Sequence, residues 1–357
     1  MPVEPAEPGR PTRHRGLRLV AVLLVVLVVG TITAANVRVA YYAVAPGGTF
    51  DTRVLVSVAE GREFAARGEV AFPTVSSGRA TALEAFTGWL DGDIDVVHEE
   101  RVRPPDVDDD ELRDINLRLM AGSKEKAIGV AFERLGYDAI HGEGAQVVQV
   151  VDGAAAAGLL VAGDVIVAVG GTPITLDAEA VSAVRALAPG VTARLVVRGP
   201  QGATRPVDVV LGANPSDPSV GYLGVSLQTA GVRIEPPFEV DIDSDRIGGP
   251  SAGLAFTLEV LDRLTAGELT GGRRVAATGT MELDGRVGDV GGVRQKTAAV
   301  VEGGYDLFLV PRRELAEARR RAGSKVKVVA VDDLDDALRA LAELGGNGLE
   351  LGLLAAG

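Results

Sequence analysis

The most sustained apolar stretch lies near the N-terminus. Leu19 to Ala35 runs 17 residues without a charge, and Arg10, Arg13, Arg15 and Arg18 precede it. This pattern predicts one membrane span of marginal length over 17–37, with its arginine-bearing end in the cytoplasm and everything after about Val37 outside. A cleaved signal peptide is the competing reading, because Leu19 to Val29 is short enough for an h-region. Thr31-Ile32-Thr33 and Thr33-Ala34-Ala35 are poor cleavage sites, however. Residues 1–16, rich in Pro, Glu, Arg and Gly, are expected to be a disordered cytoplasmic tail.

Beyond the span the period shortens to that of strands. Tyr41 to Val58 and Gly68 to Val75 alternate and carry β-branched residues, and Arg79 to Leu90 reads as a short helix. Pro104-Pro105 and the acidic run Asp106 to Glu111 read as a solvated linker and helix start. Glu111 to Leu135 then shows helical spacing through Leu112, Ile115, Leu119, Ile128, Val130 and Leu135. Between Ile140 and Leu211 come short strands punctuated by glycine, a helix over Leu176 to Ala188, and paired strands around Pro200-Gln201-Gly202. Asn214 to Ser219 is a turn-rich connector, after which Tyr222 to Val232 and Phe238 to Ile242 return to strand character. The C-terminal third predicts a helix after Gly253, a buried strand over Tyr305 to Pro311, a helix over Arg313 to Ala322 and a strand over Val326 to Val331. A last helix over Leu334 to Leu344 is capped by Asp332 and Asp333.

Composition narrows the chemistry. A chain of 357 residues exceeds what one core usually organises, so one large domain with an insertion, or two to three smaller ones, is expected. The net charge of −13 argues against a nucleic-acid partner. With no cysteine, disulfides, thiolate nucleophiles and iron-sulfur clusters are excluded. The three histidines, His14, His98 and His141, lack metal-type spacing, so neither a metal nor any other cofactor is expected.

Candidate chemistry gathers at Gly248-Gly249-Pro250-Ser251-Ala252-Gly253, where a serine stands at a loop-to-helix junction. Free N–H groups of a first helical turn can stabilise an oxyanion, and the helix dipole assists. Serine in such a place is also a common N-cap. A serine nucleophile needs a base, which in this chain must be a carboxylate or a lysine. Of five lysines, Lys124, Lys126, Lys296, Lys325 and Lys327, only Lys296 opens an apolar helix after a paired-glycine loop, Gly291-Gly292. Burial among apolar groups is the physical route to a neutral, basic lysine. A surface lysine at a helix start is the plain alternative.

Two resemblances carry these observations further. Ala157-Gly158-Leu159-Leu160, Gly163-Asp164-Val165-Ile166 and Val169-Gly170-Gly171 closely resemble a bacterial PDZ domain, a module that binds extended peptide ends by adding a strand to a sheet edge. Within it, His141 to Ala145 precedes a strand suited to that role. Gly249-Pro250-Ser251-Ala252-Gly253 and Gly291-Gly292-Val293-Arg294-Gln295-Lys296, with 45 residues from serine to lysine, closely resemble the Lon family of Ser/Lys proteases; Thr278 to Met281 and Gly285 to Val287 match as well. The resemblance implies Ser251 as nucleophile, Lys296 as base, Thr278 as the hydroxyl that positions the amine, and N–H groups near Gly249 and Ser251 as oxyanion donors. The acidic residue common three positions before the serine is replaced by Gly248, so any gating carboxylate is absent or moved to Asp243 or Asp245. No G-x-x-x-x-G-K-[ST] phosphate loop occurs in the sequence, which points to an ATP-independent enzyme.

The combination resembles bacterial membrane-anchored, PDZ-containing Lon-like proteases. It implies an α+β fold in which a PDZ domain over 139–213 is inserted into a protease domain made of 38–138 and 220–346. The expected function is endopeptidase action on unfolded or exposed segments outside the cytoplasm, with protein or peptide substrates as partners and a homo-oligomer, hexameric by resemblance. A catalytically silent PDZ adaptor and a Ser/Lys amidase acting on small amides are the alternative readings.

Overall fold

The computed structural model describes residues 13–59, 61–104, 106–245 and 247–349, with the backbone alone for 13–17. Helix α1 (Arg13–Asn36) opens the described chain, and its segment Arg18–Asn36 has a mean hydropathy of 2.5 with none of its residues buried. Expectation and structure differ at its start: the helix takes in the last four residues of the segment read as a disordered tail, whose first 12 lie outside the described residues.

Four strands and two helices follow before the expected insertion. They are β1 (Arg38–Asp51), β2 (Val56–Val58), β3 (Glu69–Thr81), α2 (Ala82–Leu90), β4 (Asp95–His98) and α3 (Asp109–Arg134). Helix α2 begins three residues later than its apolar pattern suggests. Thr81 caps it by accepting from the Glu84 N–H while Glu84 reaches back to the Thr81 N–H, so β3 runs on to that cap. Asp108 caps α3 by accepting from the Glu111 N–H at 2.8 Å.

The insertion contributes β5 (Ala145–Val150), β6 (Val165–Val169), α4 (Asp177–Arg185), β7 (Thr192–Arg198), β8 (Thr204–Val210) and β9 (Val225–Thr229). These strands form one antiparallel sheet in the order β8-β7-β6-β5-β9. Its core of Val147, Leu160, Ile166, Leu195, Val197 and Val209 is separate from the rest of the molecule. The unit therefore extends past the boundary expected at 213, because β9 pairs with β5 in register from Val225–Val150 to Thr229–Ala145.

After it come β10 (Val240–Ile242), α5 (Gly253–Leu264), β11 (Arg274–Ala277), β12 (Thr280–Met281) and β13 (Val287–Gly288). The chain continues with α6 (Val293–Gly303), β14 (Leu307–Pro311), α7 (Leu315–Ala322), β15 (Lys327–Val331) and α8 (Leu334–Ala342). The main sheet has the order β15-β14-β11-β3-β1-β4, parallel from β15 to β3 and antiparallel thereafter. It thus joins strands from both sides of the insertion. Alternation along β3 sends Val70 and Phe72 into a core shared with α3, α5 and α8, and Ala71 into one shared with α6 and α7. Aromatic pairs cross the insertion point too: Phe72 meets Phe256 at 5.3 Å and Phe132 meets Phe238 at 5.1 Å between ring centroids. Burying each such ring contributes roughly 1.5–3 kcal/mol, so these contacts help to hold the two halves of the unit together.

Candidate active site

Helix α5 lies on one face of the main sheet and α6 on the other, and Thr278, the residue after β11, bonds both to Lys296 in α6 and to Ser251 just ahead of α5. Its N–H donates to Leu309 O at 3.0 Å, holding it in line with the sheet, and its side chain is fully buried. Lys296, in the first turn of α6, is 3% exposed, and its Nζ donates to Thr278 Oγ1 at 3.1 Å. Thr278 Oγ1 in turn donates to Ser251 O at 3.1 Å, and the Gly279 N–H donates to the same carbonyl at 2.9 Å. The structure therefore brings Ser251, Thr278 and Lys296 into one connected cluster.

Burial sets the electrostatics. Desolvation pulls the Lys296 ammonium down from its ordinary 10.5 to about 8, with the Glu314 carboxylate opposing weakly. No carboxylate forms an ion pair with Lys296 among the described residues, whereas Lys126 and Lys327 sit on Glu282 and Glu343. The approach depends on Gly292, which caps α6 in the left-handed region at φ +68; a Cβ there would stand 2.7 Å from Val75 Cγ1.

Ser251 is half-buried and lies one residue ahead of the α5 N-cap, Ala252, and no side chain caps that helix end. The capping alternative for this serine is thus not the arrangement adopted. No hydrogen bond among the described residues joins Ser251 Oγ to Lys296 Nζ, so the two groups are neighbours through Thr278 rather than direct partners.

The loop before Ser251 is braced by α3. The Gly249 N–H donates to Asn116 O at 2.8 Å, with Gly249 at φ +93, and Ser123 Oγ donates to Pro250 O at 3.0 Å. The Gly249 amide, expected as an oxyanion donor, is therefore already engaged by a carbonyl. The N–H groups of Ser251 and Ala252 have no acceptor among the described residues. Asp243 accepts from the Asp245 N–H at 2.9 Å, and neither carboxylate touches Ser251 or Lys296.

In the inserted unit the loop His141 to Ala145 is covered. Glu143 and Gly144 donate their N–H groups to Ala230 O at 2.8 Å and Thr175 O at 3.0 Å, and β5 is flanked by β6 and β9. Of the sheet's two edge strands, β8 and β9, it is β9 that lies beside α4. Leu223 and Gly224, just before it, have N–H groups with no acceptor among the described residues, and Thr229 Oγ1 donates to Asp177 at 2.6 Å at its far end. The β-character of Tyr222 to Val232 was visible in sequence, but only strand pairing assigns it to this sheet.

Comparison with known proteins finds two domain families in this chain. The Lon protease (S16) C-terminal proteolytic domain family matches residues 245–343, and the PDZ domain family matches residues 126–210. The chain carries a Lon-type proteolytic domain and a PDZ domain. Lon protease 2 of Herpetosiphon aurantiacus is 33% identical over 129 residues, which is 35% of this chain and 15% of that protein. Lon protease of Malacoplasma penetrans is 37% identical over 91 residues, 25% of this chain and 11% of that protein. The chain thus matches less than a sixth of the length of these relatives. The PDZ domain of an SdrC-like protein from Listeria innocua is 21% identical over 24% of this chain and 92% of that chain, with a TM-score of 0.22.

Proposed function

We propose that this chain is a membrane-anchored, ATP-independent Ser/Lys endopeptidase that cleaves unfolded or exposed peptide segments outside the cytoplasm, with its PDZ domain recruiting them. The observation that carries the reading is Lys296: a lysine buried without a carboxylate partner, its pKa near 8, hydrogen-bonded to the residue that also holds the Ser251 carbonyl. A substantial fraction of it is neutral at physiological pH, as a base must be.

In this mechanism a rotation of the Ser251 side chain brings Oγ to Lys296 Nζ. The neutral amine takes the hydroxyl proton as Oγ adds to the scissile carbonyl, and the N–H groups of Ser251 and Ala252 at the start of α5 receive the oxyanion. The ammonium then returns the proton to the departing amine, leaving an acyl-serine, and water releases it by the same steps. Thr278 keeps Nζ oriented throughout. Peptides bind along β9, their terminal carboxylate at the free N–H groups of Leu223 and Gly224, so that main-chain bonds extend the sheet. Helix α1 anchors the molecule, with the arginine-rich side in the cytoplasm.

The test is hydrolysis of a fluorogenic unstructured peptide by the full chain in vesicles. Ser251→Ala and Lys296→Ala are each expected to abolish turnover, and turnover unchanged in either rejects the mechanism. One observation favours a second reading, a silent PDZ adaptor: Ser251 Oγ and Lys296 Nζ are not directly bonded. That reading requires peptide binding without turnover in the unaltered chain.

A further inference from the structure

Helix α2 exposes three large apolar side chains, Phe86 at 60%, Trp89 at 78% and Leu90 at 65%, in a helix of nine residues. Their spacing puts them on one side. The opposite side is fixed by Gly88, where a Cβ would stand 2.9 Å from Ile94 and 3.0 Å from Val96 of the β4 region, so the apolar side is the one turned away from the protein.

The position of α2 is set by the apolar span. The Ala82 N–H, at the first residue of α2, donates to Val37 O at 2.8 Å, one residue beyond the end of α1, and the two helices are in contact. The span Arg18–Asn36 has 19 residues and so reaches about 28 Å, close to the thickness of a bilayer core. With no length to spare, Asn36 stands at the boundary of the hydrocarbon, and α2 lies beside it. Two of the acidic residues that follow are paired, Asp93 with Arg321 at 2.6 Å and Asp95 with Arg294, while Asp91, which ends the helix, has no cationic partner among the described residues. Tyr41, 43% exposed and five residues after the span, adds a third exposed aromatic near the end of α1.

We propose that α2 is an interfacial helix: Phe86, Trp89 and Leu90 sink into the headgroup–acyl boundary of the leaflet from which α1 emerges, giving the protease a second attachment and one fixed orientation on the bilayer. The inference rests on α1 being a retained membrane anchor. Through Asp95, which also accepts from Gln295 Nε2 at 2.8 Å, the seated layer holds the residues immediately before Lys296. The catalytic cleft is thereby kept at a set height above the membrane.

Trp89 is the only tryptophan in the chain, so its fluorescence reports this site alone. The full chain is reconstituted at low density into phosphatidylcholine vesicles, and flotation is scored first. Expected are blue-shifted emission, strong quenching by lipid brominated near the headgroup end of its acyl chains, and several-fold weaker quenching by aqueous iodide than for a free tryptophan analogue. The double variant Phe86→Glu, Leu90→Glu still floats, and its Trp89 becomes open to iodide. The proposal is overturned if, in chains that float, Trp89 is quenched freely by iodide and untouched by bromine. It is equally overturned if protection appears only as protomer density is raised, which would make the face a contact between copies. Chains that do not float overturn the anchor itself.

Discussion

Replacing Lys296 by methionine is expected to destroy activity and stabilise the fold, and the structure supplies the size of the effect. Its folded pKa of about 8 lies below the ordinary 10.5, so between these values the unfolded chain binds a proton that the native protein does not. Stability therefore rises with pH across that window: the penalty is full below about 8 and gone above 10.5. At ~1.36 kcal/mol per pKa unit, a depression of roughly 2.5 units amounts to about 3 kcal/mol at neutral pH. Lys296 is 97% shielded from solvent, which is why nearly the whole figure applies. Lys296→Met removes the buried charge, keeps the volume and gives up the hydrogen bond to Thr278, worth about 1 kcal/mol. A net gain of about 2 kcal/mol is expected near pH 6.5, shrinking to about zero by pH 10. Guanidinium titration of the two proteins in detergent, followed by circular dichroism at several pH values, measures it. A variant less stable than the parent at neutral pH, or a difference that does not change with pH, refutes the claim that the native fold strains this lysine toward neutrality.

Peptide hydrolysis should rise with pH through about 8 as Lys296 loses its proton, and Glu314→Gln should move that rise to lower pH, because the nearby carboxylate favours the ammonium form; a pH–rate profile of each decides it. Thr278→Val should lower kcat by about 10- to 100-fold while leaving KM nearly unchanged, as expected for losing a hydrogen bond to a charged group, and Thr278→Ser should restore most of it. Val181→Arg, an exposed position one turn along α4 from Asp177, should weaken binding of peptide C-termini by at least tenfold without changing hydrolysis of a short peptide; equal loss of both would mean that the PDZ groove is not a separate recruitment site.

Much of this architecture can be read from residue patterns, and the gaps have identifiable causes. The apolar run, the two glycine-flanked motifs and the period of α3 are local signals, and the structure carries the corresponding elements. Strand β4 escaped notice because Asp95–His98 is four residues long and owes its pairing with Tyr41–Val44 to tertiary contact. The start of α2 is set by the Thr81–Glu84 reciprocal cap, a pattern present in the sequence but masked by the apolar residues around it. Strand β9 alternates as a strand should, yet which sheet it joins depends on β5, some 75 residues away. At the site, residue types and order singled out Ser251 and Lys296, and the resemblance to Lon proteases added Thr278, whereas the engagement of the Gly249 amide by Asn116 is a contact between distant segments that no spacing reveals.

That contact ties the catalytic loop to the order in which the chain is made. The carbonyl of Asn116 and the hydroxyl of Ser123 that shape the loop belong to α3, which leaves the ribosome before the PDZ domain, while the loop itself follows it; Ser123 and Pro250 are 127 residues apart. Assembly must wait for an entire domain to be synthesised and for α5 to return to α3, a closure of high contact order and correspondingly slow. While the chain is being made, α3 therefore offers a template for the Ser251 loop before there is a loop to fit it. If the chain is the protease proposed above, its nascent form is held inactive by unfinished topology.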